Sequence, residues 1–309
     1  MACYLVTGGA GFIGSNIAHE LVRRGETVRI IDNLATGRRK NLEWILDKID
    51  FIEGDICDPE TIQRAASGVD YVLHQAAIPS VARSVEDPLT TNRANVTGTL
   101  SLLIASRDAK VKRVVFASSS SIYGDSPTLP KMEDMPPSPL SPYAASKLIG
   151  EYYCKIFQNL FGLETICLRY FNVFGPRQDP TSQYAAVIPI FITAVASGRR
   201  PVVYGDGLQS RDFTFVENVV EANLLACRAP KQATGQVHNV ACGERFTLLE
   251  LLDEVGRILN KKPAPILEPS RPGDVKHSLA DISRAKKSLG FDPKVSFAEG
   301  LRRTVSWFT

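Results

Sequence analysis

Residues 4–7 form a short apolar run that stops at glycines. In 12–24, Ile13, Ile17, Leu21 and Val22 recur at steps of four, four and one. That spacing gathers them on one helix face, so the chain opens as strand, glycine turn, helix. Short β-branched runs recur at 27–31, 51–52, 69–73, 113–117 and 165–169, with helix-period stretches at 59–67, 89–107 and 142–161. Strands that are apolar throughout and alternate with helices predict a doubly wound α/β domain, a parallel sheet covered on both faces. Beyond Gly175 and Pro176 the pattern becomes irregular and rich in proline and glycine, with helical stretches at 217–228, 247–259 and 297–308. The expected organisation is a nucleotide-binding domain over 1–175, with segments around 205–242 returning to it. A smaller mixed α/β substrate domain then occupies most of 176–309.

Composition changes this picture little. The chain has 309 residues, a net charge of +3 and 22% charged residues, which suits an ordinary globular protein and gives no basic face for nucleic acid. The most apolar stretch, 185–196, covers only about two-thirds of the roughly 18 residues a bilayer crossing needs. The start lacks a basic segment followed by a long apolar one, so no signal peptide is expected. The six cysteines are scattered, without a CxxC pair or a cysteine–histidine cluster. Reduced thiols in a cytoplasmic protein without a metal centre are the expectation.

Candidate chemistry begins in the first turn. Gly8, Gly11 and Gly14 form a GxxGxxG between the first strand and the first helix. Glycines there allow a tight turn, close approach of backbone to a pyrophosphate, and close helix–sheet packing, with free N–H groups facing the anion. Asp32 ends the second strand, where a carboxylate accepts hydrogen bonds from an adenosine ribose and favours NAD over NADP. Asp55, after the third strand, either holds the adenine edge or caps the helix that begins at Pro59.

Tyr143 and Lys147 stand at i and i+4 in a helix that Pro142 opens. An ammonium beside a phenol favours phenolate, which suits proton abstraction. Ser118, Ser119, Ser120 and Ser121 close a predicted strand at its carboxyl end, where ligands of open α/β sheets bind.

These motifs resemble the extended branch of the short-chain dehydrogenase/reductase superfamily, and within it the nucleotide-sugar 4-epimerases. The likeness runs nearly end to end: TGGAGFIG at 7–14, DNL at 32–34, GDI at 54–56, HQAA at 74–77, NVTGT at 95–99, SSSSIYG at 118–124, SPYAASK at 141–147, RYFNVFGPRQDP at 169–180, YGDG at 204–207, SRDF at 210–213 and RPGDVKHSLAD at 271–281. The resemblance implies a Rossmann-type fold and NAD held by Gly8, Gly11, Phe12, Ile13, Gly14, Asp32, Asn33, Asp55, Ile56, Gln75, Ala76, Asn95, Tyr143, Lys147 and Phe171. It implies Tyr143 as proton acceptor, Lys147 on the nicotinamide ribose and Ser119 on the sugar oxygen. The Ser119–Tyr143 spacing is one residue shorter than in some relatives, which leaves Ser118 and Ser120 as alternatives. A UDP-sugar would meet Ser80, Ser119, Tyr143, Asn172, Gln178, Val202, Tyr204, Arg211, Arg271, Asp274 and Ser278. Relatives dimerise through two long helices per subunit, here 89–107 and 142–161, with Leu100, Leu103, Ile104, Leu148, Tyr152 and Ile156 as candidate contacts.

Dehydratase relatives carry an Asp–Glu pair in the strand-end motif and decarboxylase relatives a Glu, where this chain has Ser120, Ser121 and Ile122. Without that carboxylate, elimination lacks its acid and base, so the expected reaction is epimerisation at carbon 4 through a transient 4-keto sugar. The small Ser278, with Ser80 and Gln178, implies UDP-N-acetylglucosamine and UDP-N-acetylgalactosamine as preferred substrates, with UDP-glucose and UDP-galactose also accepted. A UDP-glucuronate 4-epimerase and a non-catalytic NAD-binding module are the alternatives.

Overall fold

The structure is a computed structural model that describes residues 1–180, 186–269 and 276–309. Six strands occur near the expected places: β1 (Cys3–Thr7), β2 (Thr27–Asp32), β3 (Asp50–Glu53), β4 (Tyr71–His74), β5 (Arg113–Ser119) and β6 (Glu164–Tyr170). A seventh, Gln236–Val240, was not expected as a strand. It pairs in parallel with β6 at the sheet edge. From that edge the order runs through β6, β5, β4, β1 and β2 to β3, every pairing parallel. The strand order reverses direction between β1 and β4, which is where such sheets open a ligand crevice.

Helices cover both faces. α1 (Phe12–Arg23) packs on one side with Val216–Arg228, whose residues share a core with β1, β2 and β6. On the other side lie α2 (Pro59–Ala66), α3 (Val81–Glu86), α4 (Pro88–Asn92), α5 (Gly98–Asp108) and α6 (Pro142–Phe161). The single helix expected over 89–107 is in fact α4 and α5 joined by one wider π turn, Arg93–Thr97. α6 starts on Ser141, whose hydroxyl accepts from the Ala144 N–H at 3.1 Å. It ends at Gly162, which has the left-handed conformation (φ 70°). Midway along α6, a Cβ at Gly150 would collide with the Phe116 ring of β5. The helix therefore lies close against the strand whose end carries the serines.

A further core, away from the sheet, gathers Phe191, Val203, Phe213, Leu251, Val255 and Phe297 among others. The apolar segment weighed as a membrane span is the helix Val187–Ala196, which turns Phe191 and Ile192 into that core. Among the described residues no helix is long and apolar enough to cross a membrane.

Candidate active site

A cleft of about 1300 Å³ opens over the carboxyl ends of β1, β2, β4 and β5. Its floor is the glycine loop. Gly8 has φ 65°, and a Cβ there would lie 2.7 Å from the Ala76 backbone. A Cβ on Gly14 would strike the Gly8 carbonyl oxygen. Only residues without side chains let β1, the loop and α1 come this close, and the closeness leaves backbone N–H groups facing the cleft.

Most of the residues expected to hold a dinucleotide line this space: Gly8 and Gly11 on the loop, Phe12, Ile13 and Gly14 at the start of α1, Asp32 at the end of β2 and Asn33 after it, Asp55 and Ile56 after β3, and Gln75 and Ala76 after β4. Burial pushes the Asp32 carboxyl up, while N–H donors from Leu34 at 2.8 Å and Ala10 at 2.9 Å favour its charged form. The residue capping α2 is Asp58, which accepts from the Glu60 N–H, so the cap reading of Asp55 fails. Asp55 instead faces the cleft, holds the Cys57 N–H at 2.9 Å and lies 3.4 Å from Arg93. Asn95 and Phe171 sit elsewhere. Asn95 is buried behind the wall, bonded to both backbone groups of Ile78, and Phe171 packs in a separate core with Tyr123.

The catalytic candidates converge at the end of β5. Lys147 reaches across from α6 and donates to the Ala117 carbonyl at 2.8 Å. Its ammonium also lies 5.8 Å from the centre of the Tyr143 ring. Burial lowers the Lys147 pKa to about 8. Burial pushes the Tyr143 phenol up, and a hydrogen bond with the Ser119 side chain acts against that shift. Ser119 Oγ accepts from the Ser121 N–H at 3.2 Å and the Ser121 hydroxyl at 2.9 Å, so its own proton stays available to another acceptor. Ser118 differs: its hydroxyl is committed to Glu151 Oε1 at 2.5 Å, away from any sugar. Ser120 begins a short 3₁₀ turn, Ser120–Tyr123.

Ser80 and Gln178 line the cleft. Ser80 has φ 101° and caps α3. Val202, Tyr204, Arg211 and Ser278 are not among the residues that line the cleft. The strand Val202–Tyr204 pairs with Ile266–Glu268, and Arg211 donates to the Ser210 and Lys276 carbonyls at 3.0 and 3.2 Å. Ser278 is buried, and its N–H donates to the Ser210 carbonyl at 3.0 Å. Asn172 donates to the Asp212 carbonyl at 3.1 Å. Arg271 and Asp274 lie outside the described residues.

Several contacts around the cleft had no sequence signal. Arg38 pairs with Asp179 at 2.5 Å, joining the loop after β2 to the segment after Gly175. Arg177 donates to Asn16 of α1 at 2.8 Å, tying the same segment to the glycine-loop helix. Glu151 did have one, since it continues the Tyr143–Lys147 face by another step of four.

The model of the NAD dependent epimerase/dehydratase family matches residues 4–241. The chain belongs to that family. NAD is its cofactor, and as an epimerase it is an isomerase. A UDP-glucose 4-epimerase of Mycolicibacterium smegmatis is 40% identical, over 98% of this chain and 97% of that protein. The crystallised UDP-N-acetylglucosamine 4-epimerase of Methanobrevibacter ruminantium, in complex with UDP-N-acetylmuramic acid, is 43% identical. It superposes with a TM-score of 0.95, covering 99% of this chain and 98% of that one. The Thermus thermophilus UDP-glucose 4-epimerase complex with NAD is 40% identical with a TM-score of 0.90, over 99% and 98% of the two chains.

Proposed function

We propose that this protein is a UDP-sugar 4-epimerase that prefers N-acetylated hexoses and also accepts plain ones. The observation that carries the reaction type concerns the described carboxylates lining the cleft. They are Asp32 at the end of β2, Glu43, Asp55 and Asp179, and none comes from the end of β5 beside Tyr143. Elimination of water needs an acid and a base next to the sugar; epimerisation needs one group that takes a proton and returns it. The Tyr143 phenolate, stabilised by the Lys147 ammonium, takes the proton of the sugar 4-hydroxyl and becomes the phenol. Lys147 would also hold the nicotinamide ribose, and Ser119 would hydrogen-bond the oxygen at carbon 4. NAD supplies the hydride acceptor and, reduced, the donor. Tyr143 then returns the proton after the keto sugar presents its other face.

The preference for an acetamido sugar rests on Ser278 and Gln178. A serine leaves space that a tyrosine would fill. Gln178 Oε1 is buried in the cleft wall with no hydrogen-bond partner among the described residues, an acceptor that an amide N–H would satisfy. Assay of the purified protein on UDP-N-acetylglucosamine, UDP-glucose and UDP-glucuronate tests the reading. Turnover of the acetamido sugar fastest supports it; turnover of the uronate alone, or of none, overturns it.

We also propose a homodimer. Leu89, Ile104, Ile149, Tyr152, Ile156 and Leu160 expose apolar surface on α4, α5 and α6, and pairing with a second copy would cover it. Of the contacts expected from sequence, Leu103 is fully buried in its own core and so is not free for a partner, while Leu100 is partly buried against that core. A sedimenting monomer at micromolar concentration would refute the dimer.

A further inference from the structure

His74 ends β4 and is 1% exposed, with both ring nitrogens hydrogen-bonded: Nδ1 to Thr7 Oγ1 at 2.7 Å and Nε2 to Thr99 Oγ1 at 2.9 Å. The proton positions follow from the neighbours. Thr99 spends its only hydroxyl proton on the Asn95 carbonyl at 2.6 Å, so it can only accept from His74, and Nε2 carries the hydrogen. Nδ1 then presents a lone pair to the Thr7 hydroxyl, whose oxygen accepts from the Ala76 N–H at 3.2 Å. Burial, with Lys147 as a nearby cation, lowers the His74 pKa to about 3 and keeps the ring neutral.

The chain of bonds continues to the active site. Asn95 lies in the π turn between α4 and α5. Its side chain accepts from the Ile78 N–H at 2.7 Å and donates to the Ile78 carbonyl at 3.2 Å. The same amide donates to Ser146 Oγ at 3.0 Å, and Ser146 donates to the backbone carbonyl of Tyr143 at 2.7 Å. The glycine-loop strand, the Ala76–Ile78 wall, the π turn and the first turn of α6 are thus joined by bonds that each run in one direction only. Reversing the tautomer at His74 would set acceptor against acceptor at Thr99 and leave the Thr7 hydroxyl proton without its acceptor.

We propose that His74, fixed as the Nε2–H tautomer, is a positioning residue that sets the place of the Tyr143 hydroxyl through Thr99, Asn95 and Ser146. This rests on Tyr143 being the proton acceptor. Small displacements of a reacting group cost catalysis far more than binding. His74→Phe keeps a ring and removes both bonds; His74→Gln restores a donor near the Nε2 position.

The test has two parts. In ¹⁵N-labelled wild type, a nitrogen–proton correlation spectrum of the four histidines identifies the His74 signals by their loss in either variant. Protonation at Nε2 alone is expected, and a proton at Nδ1 or on both nitrogens overturns the proposal. In kinetics, His74→Phe should lower kcat by about 10- to 100-fold with KM and bound NAD nearly unchanged, and His74→Gln should recover part of the loss. Unchanged kcat, or kcat and bound NAD lost together in both variants, overturns it. Full activity in Tyr143→Phe would instead refute the assignment of the base, while the tautomer measurement would stand.

Discussion

Glu151 and Arg169 face each other in a two-bonded ion pair, at 2.8 and 2.7 Å, with each side chain only 5% exposed. The pair joins α6 to β6, and the Ser118 hydroxyl adds a bond from β5 to the same carboxylate. Glu151 lies two helical turns along the face that carries Tyr143 and Lys147, so the pair fixes how α6 sits above the strand end. Removing one partner leaves the other charged and buried, which typically costs about 3–5 kcal/mol. Arg169→Met should therefore lower Tm strongly, and Glu151→Leu added to it should recover part of the loss. If the single variant costs less than about 1 kcal/mol, the pair does not anchor the helix.

Tyr143→Phe should leave the fold and bound NAD intact and lower turnover by about 10²–10⁴, the usual worth of positioned acid–base catalysis. The phenol loses no backbone contact, because it is the carbonyl of residue 143 that Ser146 holds. Measuring kcat beside the absorbance of retained cofactor separates the two effects. A Phe variant with near-normal kcat would remove Tyr143 from the chemistry.

Lys147 gives a stability prediction with a defined sign. Its pKa falls from 10.5 to about 8 on burial, so between about pH 8 and 10.5 the folded protein binds fewer protons there than the unfolded chain. Stability contributed by this group rises with pH across that window, and its full cost is carried below the folded value. Lys147→Met removes the charge at similar length. In cofactor-stripped protein at pH 7 it should raise stability by up to about 3 kcal/mol while abolishing turnover, and the advantage should shrink towards pH 10.5. Denaturant melts at pH 7 and pH 10 measure the difference. A variant less stable at both, with no trend, contradicts the buried-ammonium account.

Sequence pattern carried the Rossmann half because each element there is locally consistent: apolar strands, amphipathic helices and glycines at the turn. It failed where tertiary partners decide. The edge strand Gln236–Val240 carries His238 and Asn239, polar residues that interrupt an apolar run. The Asn239 side chain bonds the Lys131 and Asp281 carbonyls and the Tyr123 hydroxyl, and its N–H bonds Glu133, all far along the chain. The helix Val187–Ala196 is apolar on nearly every side, so no period marked it. The π turn at 93–97 is a shift in backbone bonding that side-chain periodicity does not register. At the site, the Tyr143–Lys147 pairing was legible from spacing, whereas the commitment of the Ser118 hydroxyl to Glu151 was not.

The proposed sugar preference makes Ser278 the position to test, and its surroundings make the test a sharp one. The segment is pinned on three sides. The Ser278 N–H bonds the Ser210 carbonyl at 3.0 Å, the Lys131 N–H bonds the Leu279 carbonyl at 2.7 Å, and the Ala280 N–H bonds Asp212 Oδ2 at 3.1 Å. A backbone held this way cannot retreat to make room for a larger side chain. Ser278→Tyr therefore has to place its ring in whatever space the serine leaves, and well-packed walls yield little to an overlapping acetamido group. UDP-N-acetylglucosamine turnover should fall by at least about 10²-fold, a discrimination of some 3 kcal/mol, with UDP-glucose turnover largely kept. Parallel progress curves on the two sugars, with wild type as reference, give the ratio directly. An equal fall on both sugars would mean that the tyrosine disturbs the fold rather than the pocket, and a wild type inactive on N-acetylated sugars would place the preference elsewhere.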